Sequence, residues 1–302
     1  MTSHEIKDSM VFPLPELFDM MANLDYLTRD KNECMYTVNN DTITKVIPIE
    51  KQRFLVQISA VKDHQMHIRF LDARPTEYHH RKKIVAYIRD WFDLDRDVRP
   101  FYQMAKTDPL LKGTIEKSFG LRVMGIPDLF EALCWGVIGQ QINLAFAYSL
   151  KKQFVERFGD QVKWDGHTYW VFPSFERIAQ LSPSHLTDIK MTNRKSEYII
   201  NLSKLMASGE LSKEQLMNMN MKEAEKTLVS IRGIGPWTAN YVLMRCLRFP
   251  SAFPIDDVGL LNAVKALRKM DRKPTKEELL ALSIPWKDWE SYATFYLWRV
   301  LY

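Results

Sequence analysis

Hydrophobic residues recur with a period of two in the early part of the chain and with helical spacing through nearly all of the rest. Between about Cys34 and Leu71, Phe54, Val56 and Ile58 fall on one side of an extended chain, and Met66, Ile68 and Phe70 alternate with His67 and Arg69. Lys62-Asp63-His64 separates the two runs and suits a hairpin, so the region predicts an antiparallel sheet with one face covered. Helical patterns begin around Arg81 to Trp91, and the chain beyond shows almost no strand signal.

Within that helical body, Phe130, Leu133, Cys134, Val137 and Ile138 form a stripe that starts plausibly at Pro127-Asp128 and runs into Gly139. Lys151, Lys152, Phe154 and Phe158 continue a helical segment beyond it. Loops are expected at Gly159-Asp160 to Pro173, at Ser182-Pro183-Ser184 and at Met191 to Lys195. The fold class predicted is multidomain and mainly α: an N-terminal α+β domain with an antiparallel sheet, then helices.

The densest local pattern is Leu228-Val229-Ser230-Ile231-Arg232-Gly233-Ile234-Gly235-Pro236-Trp237-Thr238-Ala239-Asn240-Tyr241. Good helix formers lead into it from Lys222, and Gly233 and Gly235 are expected to supply the positive φ angles of a sharp reversal. Pro236 suits the first turn of a second helix, whose stripe is Ala239, Val242, Leu243, Cys246 and Leu247. Glycines directly before a helix N-terminus leave backbone N–H groups open to an anion such as phosphate. An ordinary helix end followed by a proline-started helix would use the same residues. Further on, Pro254-Ile255 precedes Asp256-Asp257 and the apolar Val258, Leu260, Leu261 and Val264, a loop entering a helix where aspartate is a common cap.

Taken whole, Ile231 to Tyr241 followed by Pro254-Ile255-Asp256-Asp257 resembles the hairpin and catalytic aspartate of the helix-hairpin-helix DNA glycosylase superfamily, most of all its bacterial alkylation-repair members. Ile138-Gly139-Gln140-Gln141 and the segment from Trp286 to Trp298 extend the likeness, which spans roughly residues 105 to 302 and is weaker before that. The resemblance implies an N-terminal unit over 1–105 and a central helical subdomain over 129–249, with the hairpin at about 231–236. A second helical subdomain would be built from 106–128 and 250–302, with an active-site cleft between the two.

It also implies an activity: hydrolysis of the N-glycosidic bond of alkylated purines in duplex DNA (3-methyladenine, 7-methylguanine, with hypoxanthine as a further candidate) after the base is flipped out of the stack. The family position of the catalytic acid falls on Asp257, leaving Asp256 as a helix cap or an outer neighbour. A carboxylate there would stabilise positive charge on the sugar and orient or deprotonate water. Relatives that also cut the strand carry a nucleophilic lysine where this chain has Trp237, which implies a monofunctional enzyme leaving an abasic site. Trp237, Tyr241 and Trp298 match base-pocket positions; Gly233, Ile234, Gly235 and Thr238 match the DNA-binding hairpin. Gln141 stands where relatives insert an apolar wedge, a role Gln140 or Ile142 would share. The backbone carbonyls of Val229, Ile231 and Ile234 would hold a monovalent ion, sodium or potassium; no other cofactor is expected.

Composition narrows this less. A formal charge of +5 and a pI near 8.9 favour a polyanionic partner, here double-stranded DNA with damaged bases. Arg232, Arg245 and Arg248 are candidates for phosphate contact. Cys34, Cys134 and Cys246 are too few and too scattered for the four-thiolate iron–sulfur cluster of some relatives, and the histidines show no ligand spacing. No apolar run approaches a membrane span, and the start of the chain, with Glu5 and Asp8, lacks a signal-peptide core. A cytoplasmic monomer is expected. Two other readings stay open: a non-catalytic DNA clamp that uses the same hairpin, and a glycosylase for another damaged base.

Overall fold

The computed structural model describes residues 9–61, 64–72, 75 and 77–301; Glu5, Asp8, Lys62 and Asp63 lie outside them. The first unit runs β1 (Ser9–Pro13), α1 (Met20–Leu27), β2 (Thr37–Asn39), β3 (Thr42–Ile49), β4 (Gln52–Val61), β5 (Gln65–Phe70) and α2 (Tyr78–Trp91). Next come α3 (Arg99–Ala105), α4 (Lys112–Lys117), α5 (Leu129–Ile138), α6 (Leu144–Phe158), β6 (Asp160–Trp164), β7 (His167–Val171), α7 (Phe175–Ala179), α8 (Pro183–Thr187) and α9 (Asn193–Ala207). The chain ends through α10 (Lys213–Met217), α11 (Met221–Val229), α12 (Pro236–Arg245), α13 (Val258–Leu267), α14 (Lys276–Ser283), a 3-10 turn (Ile284–Trp286) and α15 (Glu290–Trp298).

The antiparallel sheet forms in the order β1-β5-β4-β3-β2, with Ile58 opposite Ile43 and Ile68. Phe54, Val56, Ile58, Met66, Ile68 and Phe70 all enter the core, as their alternation predicts. Two features depart from the expectation. β1, a short run beside Pro13, pairs with β5. The stretch read as a loop after Gly159 is a β-hairpin, and its Val171 packs with Val46 and Leu55 on the back of the sheet, so that face is partly covered too. Arg53 pairs with Asp160 across this contact. The hairpin turns at Asp165-Gly166, both with positive φ, which is the Asp-Gly signature of a two-residue turn. The two other expected loops are helix starts: Ser182 precedes α8, and Thr192 caps α9 by accepting the Lys195 N–H.

Asp128 caps α5 by accepting the Glu131 N–H, and all of α5 is buried. The segment between α3 and α5 ties the first unit to the end of the chain. Arg122, almost fully buried, donates to the carbonyls of Leu17 and Arg96, and Asp108 accepts the Trp286 indole N–H at 2.8 Å. A relay of buried bonds completes the join. The Gly120 N–H donates to the Tyr102 hydroxyl, Tyr102 to Tyr296 at 2.7 Å, and Tyr296 to the Leu121 carbonyl at 2.8 Å. α15 is thereby held from below, which matters because its last residue, Trp298, reaches the site.

Tyr296→Phe removes the donor to Leu121 and strands a buried carbonyl and a buried hydroxyl; it should cost about 1–3 kcal/mol in urea unfolding. A loss under about 0.5 kcal/mol would show that the relay does not hold α15.

Candidate active site

α11 begins with a reciprocal cap between Asn220 and Glu223 and ends at Val229, and α12 begins at Pro236 with Gly235 as its cap residue. The two glycines between them do different jobs. Gly233 has φ +97°, and a Cβ there would lie 2.3 Å from the Tyr198 ring, so this position admits only glycine on both counts. Gly235 has φ −90°, not the positive angle expected from its place in the reversal. Its backbone is extended like that of any N-cap, and a Cβ there would meet nothing within 4 Å. What Gly235 leaves is open space in front of the α12 N-terminus.

The hairpin is fastened from two sides. Gln140, at the end of α5, donates to the Gly233 carbonyl at 2.9 Å, while Asn240 donates to Glu225 at 2.7 Å and to the Pro236 carbonyl at 3.0 Å. The Asn240 side-chain oxygen then accepts the Phe253 N–H at 3.0 Å, which pins the segment leading to the acidic pair. Asn240 lies in α12 beside its apolar stripe, and although it is part of the quoted motif the sequence gave no sign of these partners.

Asp257 is buried at 8% exposure while Asp256 is exposed. The helix cap falls on Asp257 and not on Asp256: Asp257 Oδ1 accepts the Leu260 N–H at 2.7 Å. The Trp298 Nε1–H also donates to Oδ1, at 2.8 Å, and the Trp237 Nε1–H donates to Oδ2, at 2.8 Å. Three donors from α12, α13 and α15 therefore fix one carboxylate. Gly259 permits this, since a Cβ there would stand 3.0 Å from Asp257 Oδ1 and 3.3 Å from the Trp298 ring. Tyr241 stacks on Trp237, with centroids 5.5 Å apart and planes 25° apart, and lies 6.4 Å from Trp298 at 31°. The three rings named from the sequence thus meet around Asp257. Burial pushes the Tyr241 phenol above its ordinary value, so it stands there as a neutral group.

Of the expected DNA-facing residues, Gln141, Gly233, Ile234 and Gly235 line an open groove of about 440 Å³, together with Gln140, Ile142, Arg194 and Tyr198, and Thr238 does not. Gln141 is exposed and has φ +57°, uncommon for a residue with a side chain, which holds it out from the chain. Gln140 is already engaged with the hairpin, so the projecting side chain is that of Gln141. Thr238 is buried at 2% exposure, and Gln140 reaches its hydroxyl at 3.4 Å. The Ile231 carbonyl accepts the Ile234 N–H at 3.0 Å. Of the three arginines, only Arg232 is on the surface, paired with Glu197 at 3.0 Å. Arg245 is buried, and Arg248 pairs with Asp93 at 3.2 Å, so both are structural. Among the described residues Glu50, His79 and His80 come together, with Lys83 bonded to the same carboxylate.

A family model described as HhH-GPD superfamily base excision DNA repair protein matches residues 134–287, and one for the 8-oxoguanine DNA glycosylase N-terminal domain matches residues 13–133. A DNA-3-methyladenine glycosylase of Bacillus subtilis is 68% identical over 303 residues, covering 100% of both chains. DNA-3-methyladenine glycosylase 2 of Escherichia coli is 28% identical over 59% of this chain and 60% of its own. A solved structure titled 3-methyladenine DNA-glycosylase, from Archaeoglobus fulgidus, superposes with a TM-score of 0.84 over 96% of this chain and 97% of that one, at 22% identity.

Gly259→Ala is expected to displace the Trp298 indole from Asp257 with little loss of fold. Its catalytic rate on damaged duplex should fall by about tenfold or more while melting temperature shifts by only a few degrees; an unchanged rate would mean that the close approach at Gly259 is incidental.

Proposed function

The chain belongs to the HhH-GPD superfamily of base-excision DNA repair proteins and is a DNA glycosylase for alkylated bases, and we propose that it hydrolyses the N-glycosidic bond of alkylated purines with the Asp257 carboxylate as the catalytic group, leaving the strand uncut. The observation that carries this reading is the Asp257 carboxylate, held by two indole N–H groups and a backbone N–H beside a stack of three aromatic rings.

The two oxygens of that carboxylate are not equivalent. Oδ1 carries the helix cap and the Trp298 bond, both part of the fold; Oδ2 carries only Trp237, whose ring is half-buried. Oδ2 is therefore the atom that faces the sugar. As the C1′–N bond breaks, positive charge grows on C1′ and the ring oxygen, and a fixed anion a few ångströms away lowers that barrier without having to reorganise. A water adds to C1′ and gives its proton to the carboxylate. An alkylated purine, already cationic, leaves as a neutral ring and requires no acid. The rings of Trp237, Tyr241 and Trp298 offer π faces to such a cation. No amine occupies position 237, so no Schiff base forms there and an abasic site is the product.

DNA enters along the groove of Gln141 and the hairpin. The open N-terminus of α12 receives a phosphate, with Gly233, Ile234 and Gly235 shaping the approach and the buried Thr238 behind them, and Gln141 fills the gap left by the flipped base. The Val229, Ile231 and Ile234 carbonyls would hold a monovalent ion; the Ile231 oxygen spends one lone pair on Ile234 and keeps another. Such an ion supplies fixed positive charge beside the phosphate and takes no part in bond cleavage.

Asp257→Asn should lower release of 7-methylguanine at least about a hundredfold with DNA binding retained, read as alkali-labile sites and by gel shift. Full activity in that variant overturns the assignment. Asp256→Asn, on an exposed side chain, should leave both measurements near wild type.

A further inference from the structure

The helix α9 touches both sides of the DNA groove. Its Tyr198 ring lies against Gly233 of the hairpin, where even a Cβ would come within 2.3 Å of it. Lys195, three residues earlier and so on the same face, reaches the other side: its Nζ donates to the Ile138 carbonyl at 2.8 Å. Lys195 and Tyr198 both line the groove, together with Gln140, Gln141 and Ile142.

A lysine at the edge of such a groove would ordinarily extend its ammonium into water. This one is buried at 8% exposure and turned to the end of α5. Burial pulls the ammonium below its ordinary value. Ile138 is the last residue of α5, so its carbonyl stands at the negative pole of that helix and has no partner within it. No backbone N–H of the described residues reaches that oxygen, which leaves Lys195 as its donor.

The turn that follows α5 has little else to hold it in place. The Gly139 N–H donates to the Trp135 carbonyl and the Gln140 N–H to that of Val137, both back into α5. The N–H groups of Gln141 and Ile142 donate to no backbone carbonyl among the described residues. Two side-chain bonds tie this segment to the rest of the groove: Gln140 to the Gly233 carbonyl, and Lys195 to that of Ile138. The first joins the turn to the hairpin, and the second joins it to the helix that packs against the hairpin.

A side chain that fills the gap left by a flipped base is pushed back by the stack it opens. A turn held by its own backbone alone would yield to that load. We propose that Lys195 is a positioning residue for base flipping: it anchors the turn over 139–142 to α9, so that Gln141 enters the stack at a fixed distance from the phosphate held by the hairpin. Lys195 bonds to the end of α5 and not to Asp257, whose donors are Leu260, Trp237 and Trp298. Its loss should therefore slow removal of a paired base far more than removal of a base already out of the stack. The inference rests on the reading of Gln141 as the residue that fills the gap.

Single-turnover release of 7-methylguanine would be measured from two duplexes, one with the lesion paired and one with it inside an unpaired bubble, for wild type, Lys195→Met, Lys195→Arg and Gln141→Ala. In Lys195→Met the ratio of paired to bubble rates should fall about tenfold or more, and Lys195→Arg should recover most of it. Gln141→Ala should lower the same ratio. A ratio that stays at the wild-type value in Lys195→Met, whether both rates drop together or neither does, assigns the lysine to packing and overturns the proposal. Weaker binding alone, with a shallower salt dependence, marks a phosphate contact and overturns it too. Should Lys195→Met fail to fold, Lys195→Gln, shorter and neutral, is read in the same way. If Gln141→Ala keeps the full paired rate, the Gln141 reading fails and the proposal with it, whereas a slow Gln141→Ala beside an unmoved ratio in Lys195→Met defeats the proposal alone.

Discussion

One carboxylate organises this molecule. Asp257 takes hydrogen bonds from the Leu260 backbone, the Trp237 indole and the Trp298 indole, donors that stand on α13, α12 and α15. A bond of 2.8 Å tolerates shifts of only a few tenths of an ångström, so the three helices must keep fixed positions relative to one another. Much of the surrounding structure can be understood as what keeps them there. Asn240 links α12 to the segment before Asp257, and the Tyr102–Tyr296 relay holds α15 against the segment between α3 and α5. Gly259 removes the one Cβ that would stand between Trp298 and the carboxylate.

That arrangement explains why the chain returns on itself. A helix at the extreme end of the sequence could fray, and Trp298 would then leave the site. Instead α15 is buried along most of its length: Tyr292, Ala293, Phe295, Tyr296 and Leu297 are each at 1% exposure or less. The Tyr292 hydroxyl donates to Asp93 at 2.6 Å, anchoring the same helix to the residues just after α2. The N-terminal unit is bound through these contacts to the helix that carries Trp298, independently of whether its sheet touches DNA.

Legibility in the sequence followed the kind of constraint involved. The stripe of α12, the strands β4 and β5 and the proline-started second helix of the hairpin depend on local periodicity and could be read directly. The β6–β7 hairpin could not, because Gln161, Lys163, His167 and Thr168 make its strands polar; its one strong signal was Asp165-Gly166, and only Val171 among its residues is buried. The two aspartates illustrate a finer limit. Both can cap a helix, and nothing in their spacing says which one does; in the folded chain the cap and the two indole bonds fall on Asp257, and Asp256 is exposed. Gly235 has the open approach expected before a helix N-terminus but not the positive φ angle expected beside it. Asn240, Gly259 and the ions around Tyr241 were silent because their meaning lies in partners from distant segments.

Tyr241 divides two environments that want opposite things from a substrate. On its Asp257 side are indole faces and an anion, a setting that stabilises positive charge; on its other side are Arg29 and Arg245, a setting that disfavours it. Arg245 donates to the Met124 carbonyl and to the Tyr241 hydroxyl. The ring that stacks on Trp237 is thus pinned from behind by a residue one turn along α12 that is itself tied to the segment between α3 and α5, and the place of that ring beside Asp257 depends on both joins.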